Sequence, residues 1–237
     1  MNGSNQIIRV ANELNIKNIV YVSSANTVGY GTEQVASNET FSIEYPFSKS
    51  FYAQSKMEAE KLFVEASLLS NNHIIIINPT FMIGAYDTKP SSGKLLIMGY
   101  KRWMMFVPKG GKNFVPVIDV SNAVCNALTQ GRSGARYLTS GKNLSFREFY
   151  ELQMRVEGYQ QLIIEVPNFI IKAVGKIGDL LRKIGIKTDI STMNLNQLTI
   201  REYYSNKKAK DELNFTESDL EVAVLEAIDW FKLNIML

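Results

Sequence analysis

The sequence predicts an α/β protein built on a parallel sheet covered by helices. Two continuous apolar runs, Ile19-Val20-Tyr21-Val22 and Ile74-Ile75-Ile76-Ile77, each follow a segment with helical character. Strands apolar on both faces need cover on both faces, as in parallel sheets whose crossovers are helices. The composition, 46% hydrophobic and 21% charged over 237 residues with a formal net charge of +3, is that of an ordinary globular chain. It excludes collagen, coiled coil and a disordered tail. A single cysteine, Cys125, cannot form an internal disulfide, so a cytoplasmic setting is expected. One His and one Cys exclude a His/Cys metal site. The apolar runs fall far short of the ~20 residues of a membrane-spanning helix, and Met1-Asn2-Gly3-Ser4 begins no signal peptide.

The elements follow in order. Ile7, Ile8, Val10, Ala11 and Leu14 recur at helical spacing, and Ile16-Lys17-Asn18 leads into the strand Ile19 to Val22. The segment from Pro46 to Leu69, rich in Lys, Glu, Ala and Leu, reads as a long helix, and His73 to Pro79 as a buried strand closed by proline. Beyond Gly84 the spacing predicts a helix from Ser92 to Lys101 and short strands at Met105 to Val107 and Asn113 to Val117. A helix opened by Asp119 or Ser121 and a strand at Tyr137 to Thr139 follow, and Leu220 to Leu233 reads as an amphipathic terminal helix. The expected division is residues 1–84, a sheet domain, and residues 85–237, a smaller substrate-side region into which sheet elements return at 110–140.

Chemistry concentrates in Tyr52-Ala53-Gln54-Ser55-Lys56. Residues four apart share a helix face, with Cβ atoms ~5–6 Å apart, so the Lys56 ammonium can lie beside the Tyr52 phenol. A cation there favours the phenolate and brings a group of ordinary pKa ~10 toward the range of an acid/base at neutral pH. Upstream, the first strand runs into Ser23-Ser24-Ala25-Asn26-Thr27, small hydroxyls at the carboxyl end of a parallel strand, where open α/β sheets bind ligands. Either serine could hydrogen-bond the oxygen that Tyr52 serves; taken alone, the pair reads as a turn or a helix cap.

These residues resemble the extended short-chain dehydrogenase/reductases, the NAD-dependent epimerase/dehydratase family. Tyr-Val-Ser-Ser-Ala at 21–25, Tyr52 to Lys56 with Ala59-Glu60, Asn78-Pro79-Thr80 with Ile83-Gly84, Asn113-Phe114-Val115 to Asp119-Val120, and Tyr204-Ser205-Asn206 with Lys208-Ala209 and Glu212-Leu213 fall in family order, almost end to end. The resemblance implies the C-terminal part of a Rossmann-type doubly wound parallel sheet with a small C-terminal substrate-binding region. It implies Ser24 as the group polarising the reacting oxygen, with Ser23 as fallback, Tyr52 as acid/base, and Lys56 as the residue lowering the phenol pKa and bonding the nicotinamide ribose. Pro79 and Thr80 would lie near the nicotinamide of NAD or NADP. The reaction it implies is hydride transfer between that cofactor and a secondary alcohol or ketone of a small-molecule substrate. The run Ile83 to Lys94 looks most like the dihydroflavonol-reductase-like branch, from whose pattern Ala85 departs. No carboxylate pair follows Ser24, so dehydration is the least expected chemistry, while sugar-nucleotide epimerase and hydroxysteroid-dehydrogenase-like readings stay open.

The family's Gly-rich turn, which holds the pyrophosphate at a helix N-terminus, is not found. Neither Gly29-Tyr30-Gly31 nor Gly110-Gly111 fits it. Asn2-Gly3-Ser4 aligns with the family's entry to its fourth helix, with Met1 just before, so about three βα units, roughly 80 residues, are expected to be absent. On that reading the chain is a fragment inactive by itself; the alternative is a remnant or a partner-dependent module. The first strand would have an unpaired edge, prone to aggregate or to pair with another chain, and a homo-oligomer is compatible with this.

Elsewhere, Phe169 to Ile184 is a basic amphipathic helix. It reads as a wall of the substrate region with a solvated basic face; contact with a membrane surface is the sharper alternative. His73 is a strand-start residue, and Tyr203-Tyr204 is expected to pack on the terminal helix. Arg147, Arg155 and Arg201 could meet a substrate anion. Mild basicity without a readable motif gives no ground for nucleic-acid binding.

Overall fold

The computed structural model describes residues 2–188, 190–234 and 236–237; Met1, where the alignment above begins, lies outside them. The chain divides into two compact units, the first formed by residues 1–82, 115–141 and 204–218, the second by 83–114, 142–203 and 219–237.

The first unit is a three-layer α/β arrangement. Helix α1 (Asn2–Glu13) leads into strand β1 (Asn18–Val22), helix α2 (Phe51–Leu69) into strand β2 (His73–Pro79), and helix α4 (Val117–Asn126) into strand β6 (Arg136–Thr139). Both pairings are parallel, in the order β1-β2-β6, with Asn18 opposite His73 and Ile77 opposite Tyr137. Ile74 to Ile77 are all 0% exposed. Because successive side chains point to opposite faces, Ile74 and Ile76 pack with Phe63 and Ala66 of α2, and Tyr21 of β1 stacks on Phe63 at 4.4 Å between centroids. Ile75 and Ile77 face Val120 and Ala123 of α4, Ala127 at its C-cap, and Ala209 and Leu213 of helix α8 (Lys207–Leu213). Each such isoleucine contributes about 1.5–3 kcal/mol by leaving water.

Helix α2 starts later than the sequence predicts: a single 3-10 turn occupies Phe47–Lys49, and Ser50 caps the helix proper through its side chain. Asp119 is not the cap of α4. Pro116 holds that position, while Asp119 lies in the first turn, buried, and accepts from the backbone N–H of Ser218 at 2.9 Å and its hydroxyl at 2.5 Å. The carboxylate is held by a segment 99 residues away instead of by its own helix. Tyr204 packs with Ala25, Val28 and Leu138 and bridges to Ser37 within the first unit.

A short strand β3 (Phe81–Ile83) follows β2. In the second unit, helix α3 (Lys94–Gly99) precedes strands β4 (Met104–Pro108) and β5 (Gly111–Pro116). Strand β7 (Lys142–Ser145) runs antiparallel to β5, and β8 (Leu162–Val166) parallel to β4. Helix α5 (Phe146–Glu157) opens on a capping box between Ser145 and Glu148 and closes at Gly158, whose φ of +69° suits glycine. Helices α6 (Asn168–Lys183) and α7 (Thr192–Gln197) pack together; strand β9 (Arg201–Glu202) pairs with β5, and α9 (Leu220–Leu233) packs on α5.

Candidate functional site

The carboxyl end of β1, the N-terminal half of α2 and the carboxyl ends of β2 and β6 converge within the first unit. Lys56 lies one turn after Tyr52 on α2, and its Nζ donates to the carbonyl oxygen of Val22, the last residue of β1, at 3.1 Å, while standing 5.4 Å from the centre of the Tyr21 ring. The strand end thus fixes the ammonium. Tyr52 is 52% exposed, its phenol open to an incoming molecule. Burial raises the pKa of the neighbouring Tyr21 phenol, with further contributions from Glu60 and Tyr52, which keeps Tyr21 neutral.

Ser24 caps the 3-10 turn Ala25–Thr27, its Oγ accepting from Asn26 N at 3.2 Å, and it is half-buried. Ser23 beside it is buried. The cap reading and the site reading describe the same atom, since a capping hydroxyl keeps its own proton to donate. Pro79 is buried at the end of β2, opposite Thr139, and Thr80 donates from N to Thr139 O at 3.3 Å.

Beneath these groups lies a buried network that the sequence reading did not single out. Glu60, 3% exposed, accepts at Oε1 from Thr27 Oγ1 at 2.7 Å and from Asn78 Nδ2 at 2.6 Å, while its Oε2 is 3.5 Å from the Arg136 guanidinium. Asn78 Nδ2 also reaches Ser24 O at 3.1 Å. One carboxylate therefore ties α2, the turn after β1, β2 and β6 together. The available signals were Glu60 standing four residues after Lys56 on the same face, and Asn78 as the one amide at the end of an isoleucine strand.

His73 starts β2, its N–H bonded to Lys17 O at 2.6 Å. Arg147 pairs with Glu165 at 3.1 Å and Arg155 with Glu221 at 2.5 Å, so both are neutralised within their own unit.

The chemistry of the donors suits the nicotinamide-ribose end of a dinucleotide. Thr139 Oγ1 and Ser140 Oγ are buried at the carboxyl end of β6 with no hydrogen-bond partner, a costly state that a ligand or water would relieve. A Cβ on Gly29 would lie 2.2 Å from Ser42 O and one on Gly31 2.2 Å from Ser37 N, and at Gly110 and Gly111 carbonyls of Leu198 and Leu144 stand at 2.2 and 2.5 Å. These glycines admit neighbouring backbone.

Comparison with known proteins gives the family and the fold. The model of the NAD dependent epimerase/dehydratase family matches residues 1–138, more than half of the chain, and the chain belongs to that family. A dihydroflavonol 4-reductase-like protein of Synechocystis sp. is 24% identical over 97% of this chain and 68% of its own length. Sterol demethylase protein B of Methylococcus capsulatus is 25% identical over 97% of this chain and 71% of its own. The crystal structure of gox2253 superposes with a TM-score of 0.82 at 25% identity, covering 99% of this chain and 72% of that one. The fold is thus a Rossmann-type α/β fold with parallel pairing, as expected. Those matches describe what aligns; they lend no support to the expected lack of three βα units.

Proposed function

We propose that this protein is an oxidoreductase acting on a secondary alcohol or ketone of a small-molecule substrate, with Tyr52 as general acid/base. The observation that supports it is an exposed Tyr52 one turn before Lys56, whose ammonium is anchored on the carbonyl of Val22, two residues before Ser24. NAD or NADP, when bound, supplies or accepts the hydride. The residues of the chain do the rest. Ser24 donates a hydrogen bond to the reacting oxygen, Tyr52 gives or takes its proton, and Lys56 supplies positive charge beside the phenol and a donor for the ribose. Pro79 and Thr80, on the carboxyl end of β2, flank the nicotinamide. In the protein carrying the activity, Tyr52→Phe is expected to lower turnover by ~10²-fold or more with little change in fold; turnover within a few-fold of the parent would remove Tyr52 from this role.

A second reading, hydroxysteroid-dehydrogenase-like oxidation of a sterol hydroxyl, is favoured by the sterol-named relative of Methylococcus capsulatus. It uses the same three side chains. Turnover of a hydroxysteroid against a flavonoid ketone and a nucleotide sugar separates the substrate classes.

A further inference from the structure

Helix α6 presents three faces, and the one buried against the protein is neither of the two that its sequence pattern displays. Gly175 and Gly178 are buried; a Cβ on Gly178 would lie 2.3 Å from Ile190 O and one on Gly175 2.8 Å from Thr192 Cα, so this side is closed by the chain leading into α7. The acid of the helix turns to the same side, Asp179 Oδ1 accepting from Thr192 N at 3.2 Å. Away from it, Phe169, Ile177, Leu180 and Ile184 are 72%, 58%, 61% and 67% exposed, and Ile170 and Val174 join them. At 3.6 residues per turn these side chains form one continuous arc. Lys172, Lys176 and Lys183, all exposed, flank one edge of the arc.

A single exposed leucine needs no explanation, but a contiguous apolar arc along a whole helix marks an interaction surface. Charge decides what covers it. Residues 168–188 carry five Lys and Arg against one Asp, so a second copy docking through the same face would bring like charges together. Just past the helix, where Gly185 turns the chain at a φ of +88°, a concavity of about 500 Å³ is lined by Arg182, Gly185, Ile186, Lys187 and Thr188. Two cations and a hydroxyl in a recess of that size suit a phosphate headgroup.

We propose that α6 is a membrane-docking helix that lies in the plane of an anionic lipid surface. Phe169, Ile177, Leu180 and Ile184 enter the boundary between headgroups and acyl chains; the flanking lysines and the Arg182–Lys187 recess meet lipid phosphates. The proposal is independent of the reaction assigned above. Among the described residues no helix is long and apolar enough to cross a membrane, so the contact is peripheral.

The test is co-sedimentation of the whole chain with vesicles of phosphatidylcholine alone and of phosphatidylcholine with about one-third phosphatidylglycerol. The bound fraction is expected to rise on the order of tenfold on the anionic vesicles and to fall as salt is added. Ile177→Asp with Leu180→Asp should abolish binding without altering circular dichroism, both sites being exposed. Lys172→Glu with Lys176→Glu should remove the preference for anionic lipid, and it serves as the decisive variant if the first does not fold. A Phe169→Trp reporter should shift its emission to the blue on adding the anionic vesicles. Absence of binding, equal binding to both vesicles, or variants that bind like the parent would overturn the proposal, as would a dimer in solution that the Asp substitutions dissolve.

Discussion

Glu60 stands one turn beyond Lys56, almost out of contact with water, and receives hydrogen bonds from Thr27 and Asn78 with Arg136 close by. Deleting it would take one acceptor each from Thr27, Asn78 and Arg136, which keep bonds to the carbonyls of Ser24 and Glu39, so Glu60→Ala is expected to cost about 2 kcal/mol in urea unfolding. Glu60→Gln keeps one acceptor oxygen and should cost less than half of that. A second carboxylate gives a pH signature. Glu212 accepts from Arg132 at 2.9 and 2.7 Å and from the Tyr137 hydroxyl at 2.5 Å, and these bonds, the Arg132 ones foremost, hold its pKa below the ordinary glutamate value. A lowered folded-state pKa means stability present above the ordinary carboxylate range and lost as pH falls through and below it. Thermal melts of the parent and Glu212→Gln should therefore differ at neutral pH and converge on acidification; a constant difference would show that the charge is not what matters. The pair is largely solvated, so the effect is small.

Strand β2 shows how directly an element can be read when its pattern is local. Its limits, His73 to Pro79, match those the isoleucine run predicts, because a strand apolar on both faces has only one stable place, the middle of a helix-covered sheet. Truncating it is accordingly severe: Ile76→Ala, at a side chain 0% exposed, is expected to lower stability by 2–5 kcal/mol in denaturant unfolding. Helix α6 shows the opposite case. Its ends are close to those predicted, yet which side packs is set by the glycines and not by the apolar arc. Gly178→Val would force branched carbon against the Ile190 carbonyl and is expected to free α7, seen as faster amide exchange in Thr192 to Gln197 with β2 still protected.

At the scale of the molecule, β1 ends the sheet order β1-β2-β6, and beside it a groove of about 550 Å³ is lined by Ile7, Val10, Ile16, Ile19 and Val20. An edge of this kind invites pairing with another chain, so a sample of these 237 residues by themselves is expected to associate as its concentration rises, and Ile7→Lys with Val10→Lys to slow the growth of light scattering without loss of helix signal. Sequence alone determined the α/β class, the parallel pairing of the two apolar strands and the placing of Tyr52 and Lys56 on one helix face. All three follow from periodicities of a few residues, which physics ties to one local conformation. The tertiary structure alone decided that Glu60 joins four segments, that Asp119 is held by Ser218 and does not cap its own helix, that Tyr204 closes on Ala25, Val28 and Leu138, and that the apolar arc of α6 faces outward. Each of these depends on contacts between residues distant in the chain, and no local pattern records which distant partner will fill a given face.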